Sequence, residues 1–226
     1  MEYNLKPIAK IYTDFDEKFG IPRQSGRVSS LTGKIVFEPE FRTPEAIKGL
    51  EAFNYIWLIF DFSLSHRPTF SPTVRPPRLG GNKRTGVFAT RSPFRPNNLG
   101  LSSVKLERIE QTDEGLCLIV SGIDILNETP IFDIKPYIPY SDCHTDATEG
   151  FTENTKNHFL NVEFPQELLD VIPKEKREAV VACLADDPRP SYTDDGKIFK
   201  MKFSSFDIEF HVYGNNLTVT DVTPLR

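Results

Sequence analysis

The chain has 226 residues, with 27 basic against 32 acidic side chains, a formal net charge of −5, 18 Phe, three Cys and one Trp. That length suits one large or two small domains, and burial of roughly 70% of the unfolded surface leaves no need for disulfides or a structural metal. Three cysteines without a CxxC, an N-terminus lacking a signal-peptide apolar region, and a longest apolar run of only Tyr55 to Phe60 exclude a disulfide framework, a secretory leader and a bilayer-spanning helix, and predict a soluble cytoplasmic protein.

In chain order, Leu5 to Tyr12 alternates apolar and polar residues and predicts a strand. Phe19 to Arg27 is turn-rich, and Val28 to Glu38 predicts a strand or a hairpin around Thr32-Gly33. Thr43-Pro44-Glu45 reads as a helix start, with Thr as N-cap and Pro at the first helical position, for a short helix ending near Leu50 or Phe53. Tyr55 to Phe60 is apolar without alternation, which predicts a central strand buried on both faces. Leu101 to Glu110 and Leu116 to Gly122 predict a hairpin turning at Thr112 to Gly115. Asp124 to Tyr140 has buried-strand character around two carboxylates, Asp124 and Asp133. Ser141 to Asn161 is a polar linker or surface excursion. Pro165 to Leu184 has a helical pattern interrupted at Pro173, and Asp187-Pro-Arg-Pro190 stops it. Ile198 to Phe203, Phe206 to Tyr213 and Leu217 to Val222 predict a three-stranded meander turning at Ser204-Ser205 and Gly214-Asn215. The sum is a mainly β protein: a β-dominated domain over residues 1–145 and a smaller α+β domain over 146–226, helices first and meander last.

Residues 62–106 hold eight lysines and arginines and no acid, which leaves 19 basic against 32 acidic residues elsewhere. Such a stretch on an acidic chain is a localised anion site. Its Arg75, Arg78, Arg84, Arg91 and Arg95 supply forked donors for phosphate or carboxylate, and its glycines let backbone approach a ligand. There is no GxxxxGK[ST] loop and no GxGxxG opening a helix, so a doubly wound cofactor domain is not expected. Asp142, Cys143, His144 and Asp146 match no zinc spacing, and no metal is expected. No Ser/His/Asp or Cys/His set stands out.

The stretches Pro22-Arg23-Gln24, Arg75 to Asn82, Gly86 to Asn97 and Asp133-Ile-Lys-Pro-Tyr-Ile-Pro139 resemble the TsaA-like (TrmO, formerly YaeB) family, and Asp187 to Pro190 with the final meander resembles the C-terminal domain of its bacterial members. The resemblance covers nearly the whole chain. It implies a small β-barrel rather than a Rossmann domain, a homodimer, and an S-adenosylmethionine-dependent methyltransferase. The implied target is N6 of threonylcarbamoyl-adenosine, 3′ of the anticodon in threonine tRNA.

Carried over residue by residue, the family pattern gives Pro22, Arg23, Gln24, Ser63, Leu64, Arg91, Leu101, Asp124, Ile125, Leu126 and Asn127 as cofactor-binding. Many relatives carry His-Gln where this chain has Ser63-Leu64, which leaves the backbone for a contact there. The family's Asp-Gly before Thr-Pro is Asn127-Glu128 here, so an altered turn is expected. Arg75, Arg78, Lys83, Arg84 and Arg95 are left for RNA phosphates or for shaping the loop, and Arg189 is a further RNA-contact residue or a salt bridge between the two domains. Methylation of an amide-like nitrogen needs a general base, for which Asp133 is the first choice and Asp124 the second. Lys135 would hold developing negative charge and Tyr137 would stack on or orient the base. The competing reading is a non-catalytic nucleotide- or RNA-binding module, which needs neither aspartate. A phosphate-ester hydrolase would need a metal or nucleophile set that the sequence does not present.

Overall fold

A computed structural model describes residues 3–76, 83–153, 158–190 and 195–225. Among these residues twelve strands run in chain order: β1 (Ala9–Tyr12), β2 (Thr32–Phe37), β3 (Tyr55–Asp61), β4 (Thr73–Val74), β5 (Thr85–Gly86), β6 (Leu99–Thr112), β7 (Gly115–Ser121), β8 (Thr129–Pro136), β9 (Asn161–Glu163), β10 (Phe199–Phe203), β11 (Phe206–Tyr213) and β12 (Asn216–Pro224). Among the described residues three α-helices accompany them, α1 (Pro139–Asp142), α2 (Gln166–Leu169) and α3 (Lys174–Ala185), together with short 3₁₀ turns.

Six strands close into a barrel in the order β1-β2-β7-β6-β3-β8, every neighbouring pair antiparallel. Closure removes free edges, and period-2 alternation sends one face of each strand inward. Ile11, Ile35, Ile56, Leu58, Phe60, Val104, Leu118, Val120 and Ile131 fill the interior. Gly100 in β6 lies under the Phe60 ring, where an added Cβ would come within 2.3 Å of ring carbons, so a glycine is required at that layer.

The fold corrects several sequence expectations. β1 begins only at Ala9, and Thr32-Gly33 opens β2 by pairing with Ser121 and Val120 instead of turning a hairpin. The expected helix after Thr43 is two 3₁₀ turns, Pro44–Ile47 and Leu50–Ala52, parted by Gly49 in the left-handed region. β3 is buried on one face only: Ile56, Leu58 and Phe60 point inward, while Trp57 and Ile59 are half-covered on the outer wall. Its unbroken apolar pattern reflects two different surfaces, the core and a partly covered outer face. The hairpin of β6 and β7 turns where expected, with Gly115 at φ +101°.

The C-terminal sheet has four strands, β10-β11-β12-β9. The meander is as expected, with left-handed Ser204 and Gly214 at its turns. β9, which pairs parallel to β12, was not foreseen, because three residues carry too little periodicity. Pro173 separates α2 from α3, and α3 turns Ala179, Val180, Cys183 and Leu184 inward. Residues of the barrel and of the second sheet belong to one continuous core: Phe15 meets Phe203 edge-on at 5.5 Å, and Gly20 packs on Met201, where a Cβ would come within 2.6 Å of the sulfur.

Candidate active site

Three segments far apart in sequence converge beside the barrel wall. The loop after β1 brings Arg23 and Gln24, the turn after β5 brings Arg91, and the chain leaving β7 brings Asp124. The Gln24 side chain is gripped at both ends, its amide donating to the Arg23 carbonyl and its oxygen accepting from Arg91. Asp124 Oδ1 accepts from Ser102 Oγ at 2.7 Å. Burial pushes the Asp124 carboxyl up to about 6; hydrogen bonds from Ser102 and from the backbone of Ser25 oppose the rise, as does the positive charge of Arg91. A largely buried carboxyl beside an exposed guanidinium thus gives up its proton well above the usual carboxylate range.

Asp133 lies on the outer face of the barrel wall. In strict alternation it would share a face with Ile131, which is in the barrel interior. A bulge intervenes: Phe60 pairs with Ile131 but Ile59 pairs with Asp133, so two residues of β8 advance against one of β3. Asp133 is therefore turned outward. It joins a row across three strands, Asp133, Ile59 and Leu101, in which Leu101 is 58% exposed. Two strand spacings put the Asp133 backbone roughly 10 Å from that of Leu101 across the sheet. Lys135 pairs with Asp133 at 2.9 Å, and the backbone N–H of Ile134 donates to Asp133 Oδ1. Tyr137, one step beyond β8, packs its ring on Trp57 and Tyr55 at centroid distances of 5.5 and 6.4 Å.

Among the other cofactor-binding candidates, Ser63 and Leu64 form an exposed 3₁₀ turn after β3, and the Leu64 carbonyl accepts from Lys18 Nζ at 2.7 Å. Pro22 adjoins the Arg23–Gln24 loop. Ile125 is in the core and its carbonyl accepts from Thr13. Leu126 is half-buried. Asn127 ties the loop after β1 through Thr13, Phe15 and Asp16. At the Asn127-Glu128 turn, Glu128 adopts φ +58°, the left-handed conformation that glycine takes readily.

The basic stretch divides by partner. Arg75, Lys83 and Arg84 are exposed on or beside the β4–β5 ribbon, and Arg84 reaches Thr73 Oγ1 at 3.3 Å. Arg78 lies outside the described residues. Arg95 donates to the carbonyls of Val87 and Thr90 at 3.1 and 2.8 Å, which commits it to shaping the loop. Arg189 forks onto Asp187 at 2.9 and 3.2 Å, the pair almost enclosed, and its carbonyl accepts from Arg23 at 2.7 Å. Burial is the largest influence on Asp187 and raises it, but hydrogen bonds from Arg189 and His158 together hold it below the usual carboxylate range. Arg27 pairs with Asp186 beside this corner. Arg189 thus folds a corner onto the Arg23–Gln24 loop rather than standing free at the surface.

Sequence reasoning missed Ser25, Ser102, Lys18 and Arg67. Arg67 lies 3.5 Å from the Phe94 ring centroid, and burial together with Arg67 lowers Lys18. It also missed Asp142 as a strut: its Oδ2 accepts from the Trp57 indole at 2.8 Å and from the Ile138 N–H at 2.9 Å, which hold its carboxyl below the usual range. Nothing in their local sequence signals these roles, since each depends on a partner brought near by the fold.

The tRNA-methyltransferase O N-terminal domain profile matches residues 10–143, and the TrmO C-terminal domain profile matches residues 157–225. The tRNA (adenine(37)-N6)-methyltransferase of Escherichia coli (strain K12) is 34% identical over 231 residues, spanning 98% of both chains. A tRNA (adenine(37)-N6)-methyltransferase of Eikenella corrodens is 43% identical over 163 residues, 71% of this chain and 92% of its own. A crystal structure of TrmO from Pseudomonas aeruginosa aligns with a TM-score of 0.81 at 33% identity, covering 99% of this chain and 98% of that one. Matched along nearly its whole length in both sequence and fold, the chain belongs to the TrmO family.

Proposed function

We propose that this chain methylates N6 of an adenine beside the tRNA anticodon using S-adenosylmethionine, and that its natural nucleoside is threonylcarbamoyl-adenosine in threonine tRNA. The observation that carries the reading is the convergence of Gln24, Arg91, Ser102 and Asp124. Their donor set fits the cofactor. Arg91 offers a guanidinium to an amino-acid carboxylate, Asp124 an acceptor to ribose hydroxyls, and Leu101 an exposed apolar surface. Arg23, held by the Arg189 carbonyl, fixes the loop that presents Gln24. Pro22, Ser63, Leu64, Leu126 and Asn127 are the further proposed cofactor contacts, with Ile125 acting through its backbone.

When bound, the cofactor supplies an electrophilic methyl group on a positively charged sulfur. The chain has to align N6 with it and take up a proton. As N6 takes the methyl group, its proton would pass to a carboxylate of the chain. Asp133 is the proposed acceptor, because it stands on the open side of the wall where a nucleotide has access. Lys135 would balance negative charge on the carbamoyl oxygen, and the Tyr137 ring would orient the base. Arg75, Lys83 and Arg84 are proposed phosphate contacts. The domain split near residue 145 gives the barrel the chemistry and the second domain a supporting contact with tRNA. We also infer a homodimer, supported by the exposed Tyr55, Leu99 and Tyr140, and cytoplasmic location, where tRNA is modified. Among the described residues no helix is long and apolar enough to cross a membrane.

Mass spectrometry of anticodon-loop nucleosides after incubation with cofactor and threonine tRNA should show the gain of one methyl group; an unchanged nucleoside beside an active relative would overturn the reading. Asp133→Asn should lower turnover by roughly 10²- to 10⁴-fold while calorimetric cofactor affinity stays within about twofold. Full turnover in that variant would remove Asp133 as the base.

A further inference from the structure

Phe70 and Phe88 are 57% and 72% exposed, yet they face one another, with ring centroids 6.5 Å apart and planes inclined by 27°. The two-stranded ribbon of β4 and β5 sets them together. Thr73 pairs with Gly86, and the Val87 N–H donates to the Pro72 carbonyl, so the segments carrying the two rings leave the ribbon side by side. Val87 is buried and anchors the turn, while Arg95 is held by the Val87 and Thr90 carbonyls with its guanidinium 5.6 Å from the Phe88 centroid. Arg75, Lys83 and Arg84 stand exposed around the ribbon, and residues 62–106 contain no acid.

Two solvent-facing aromatic rings cost hydration free energy unless something covers them. The cover must tolerate a dense positive surround and offer flat π faces. Unstacked bases on a phosphate backbone meet both demands, and an aromatic platform among cations is the physical basis of single-strand recognition. Arg91, three residues past Phe88, places the platform one short turn from the Gln24–Arg91–Asp124 cluster. We propose that Phe70 and Phe88 form a stacking platform for unpaired bases of the tRNA anticodon loop, stiffened by Arg95. This rests on the RNA-methylation reading and adds the residues that receive the loop's bases.

The test uses the full chain and a threonine-tRNA anticodon stem-loop carrying 2-aminopurine in the loop. Phe88→Ala and Phe70→Ala should each weaken binding roughly tenfold, since stacking on one ring is worth about 1–3 kcal/mol. The dependence of affinity on salt should be unchanged, because no phosphate contact is lost, whereas Arg84→Ala should flatten it. Phe88→Trp should restore affinity, and unchanged cofactor binding by calorimetry reports an intact fold. Unaltered RNA affinity in both alanine variants overturns the platform, as does a changed salt slope. A loss of self-association by sedimentation with RNA binding intact also overturns it, and gives the rings to a second copy. If the unsubstituted chain neither binds nor methylates the RNA, the RNA reading itself falls and the platform with it.

Discussion

Asp124 and Asp133 have the same side chain and opposite settings, and the difference is electrostatic. Asp133 pairs with Lys135 on an outer wall open to water. Asp124 is desolvated, and its charge is sustained only by Ser102, backbone N–H groups and Arg91. With its carboxyl near 6 in the fold against an ordinary 3.8, the proton is bound more tightly in the folded chain. Its contribution to stability is therefore complete below about pH 4 and lost as pH rises through about 6. In the proposed cofactor site the ionised form of Asp124 is the acceptor, so cofactor affinity is expected to have the opposite sign. Calorimetric titration should show affinity falling as pH drops through about 6, and Asp124→Asn should flatten that profile and bind weakly throughout. A flat profile in the unsubstituted chain would separate Asp124 from the cofactor.

At the scale of elements, local deviations from regular strand geometry decide where chemistry sits. The β8 bulge turns Asp133 out of the barrel, and Gly100 admits the Phe60 ring. The turn entering β8 keeps a left-handed residue although Glu128 occupies it. A non-glycine residue there costs roughly 1 kcal/mol or more. Glu128→Gly should raise stability by about 1 kcal/mol, less the backbone entropy glycine adds to the unfolded chain, read as a higher denaturant midpoint with unchanged m value. A lowered midpoint would mean that surrounding contacts remove the strain.

For the molecule as a whole, the barrel and the second sheet share one apolar core, reinforced by ion pairs of Lys176 with Asp14 and of Arg27 with Asp186. A shared core favours a single cooperative transition although two domain profiles match the chain. Trp57, the one tryptophan, reports the barrel. Its fluorescence and the far-ultraviolet circular dichroism of both sheets should give superimposable urea curves. Two separated midpoints would show that the second sheet unfolds independently.

Much of this was legible in sequence because it is local. Long motifs at Arg75 to Asn82, Gly86 to Asn97 and Asp133 to Pro139 marked the family, apolar runs between turn residues marked most strands, and Gly115, Ser204 and Gly214 fell at turns where a left-handed residue is needed. The acid-free stretch marked the basic surface. What the tertiary structure alone decided is which groups meet. Arg23 and Arg189 are 166 positions apart, and Arg91 and Gln24 are 67 apart. Alternation gives each side chain one of two faces, but barrel closure and a single bulge choose which face is inside. Composition gives the number of arginines, but the carbonyls and carboxylates that the fold brings near determine which ones turn inward, as Arg95 and Arg189 do, and which remain at the surface for a polyanion.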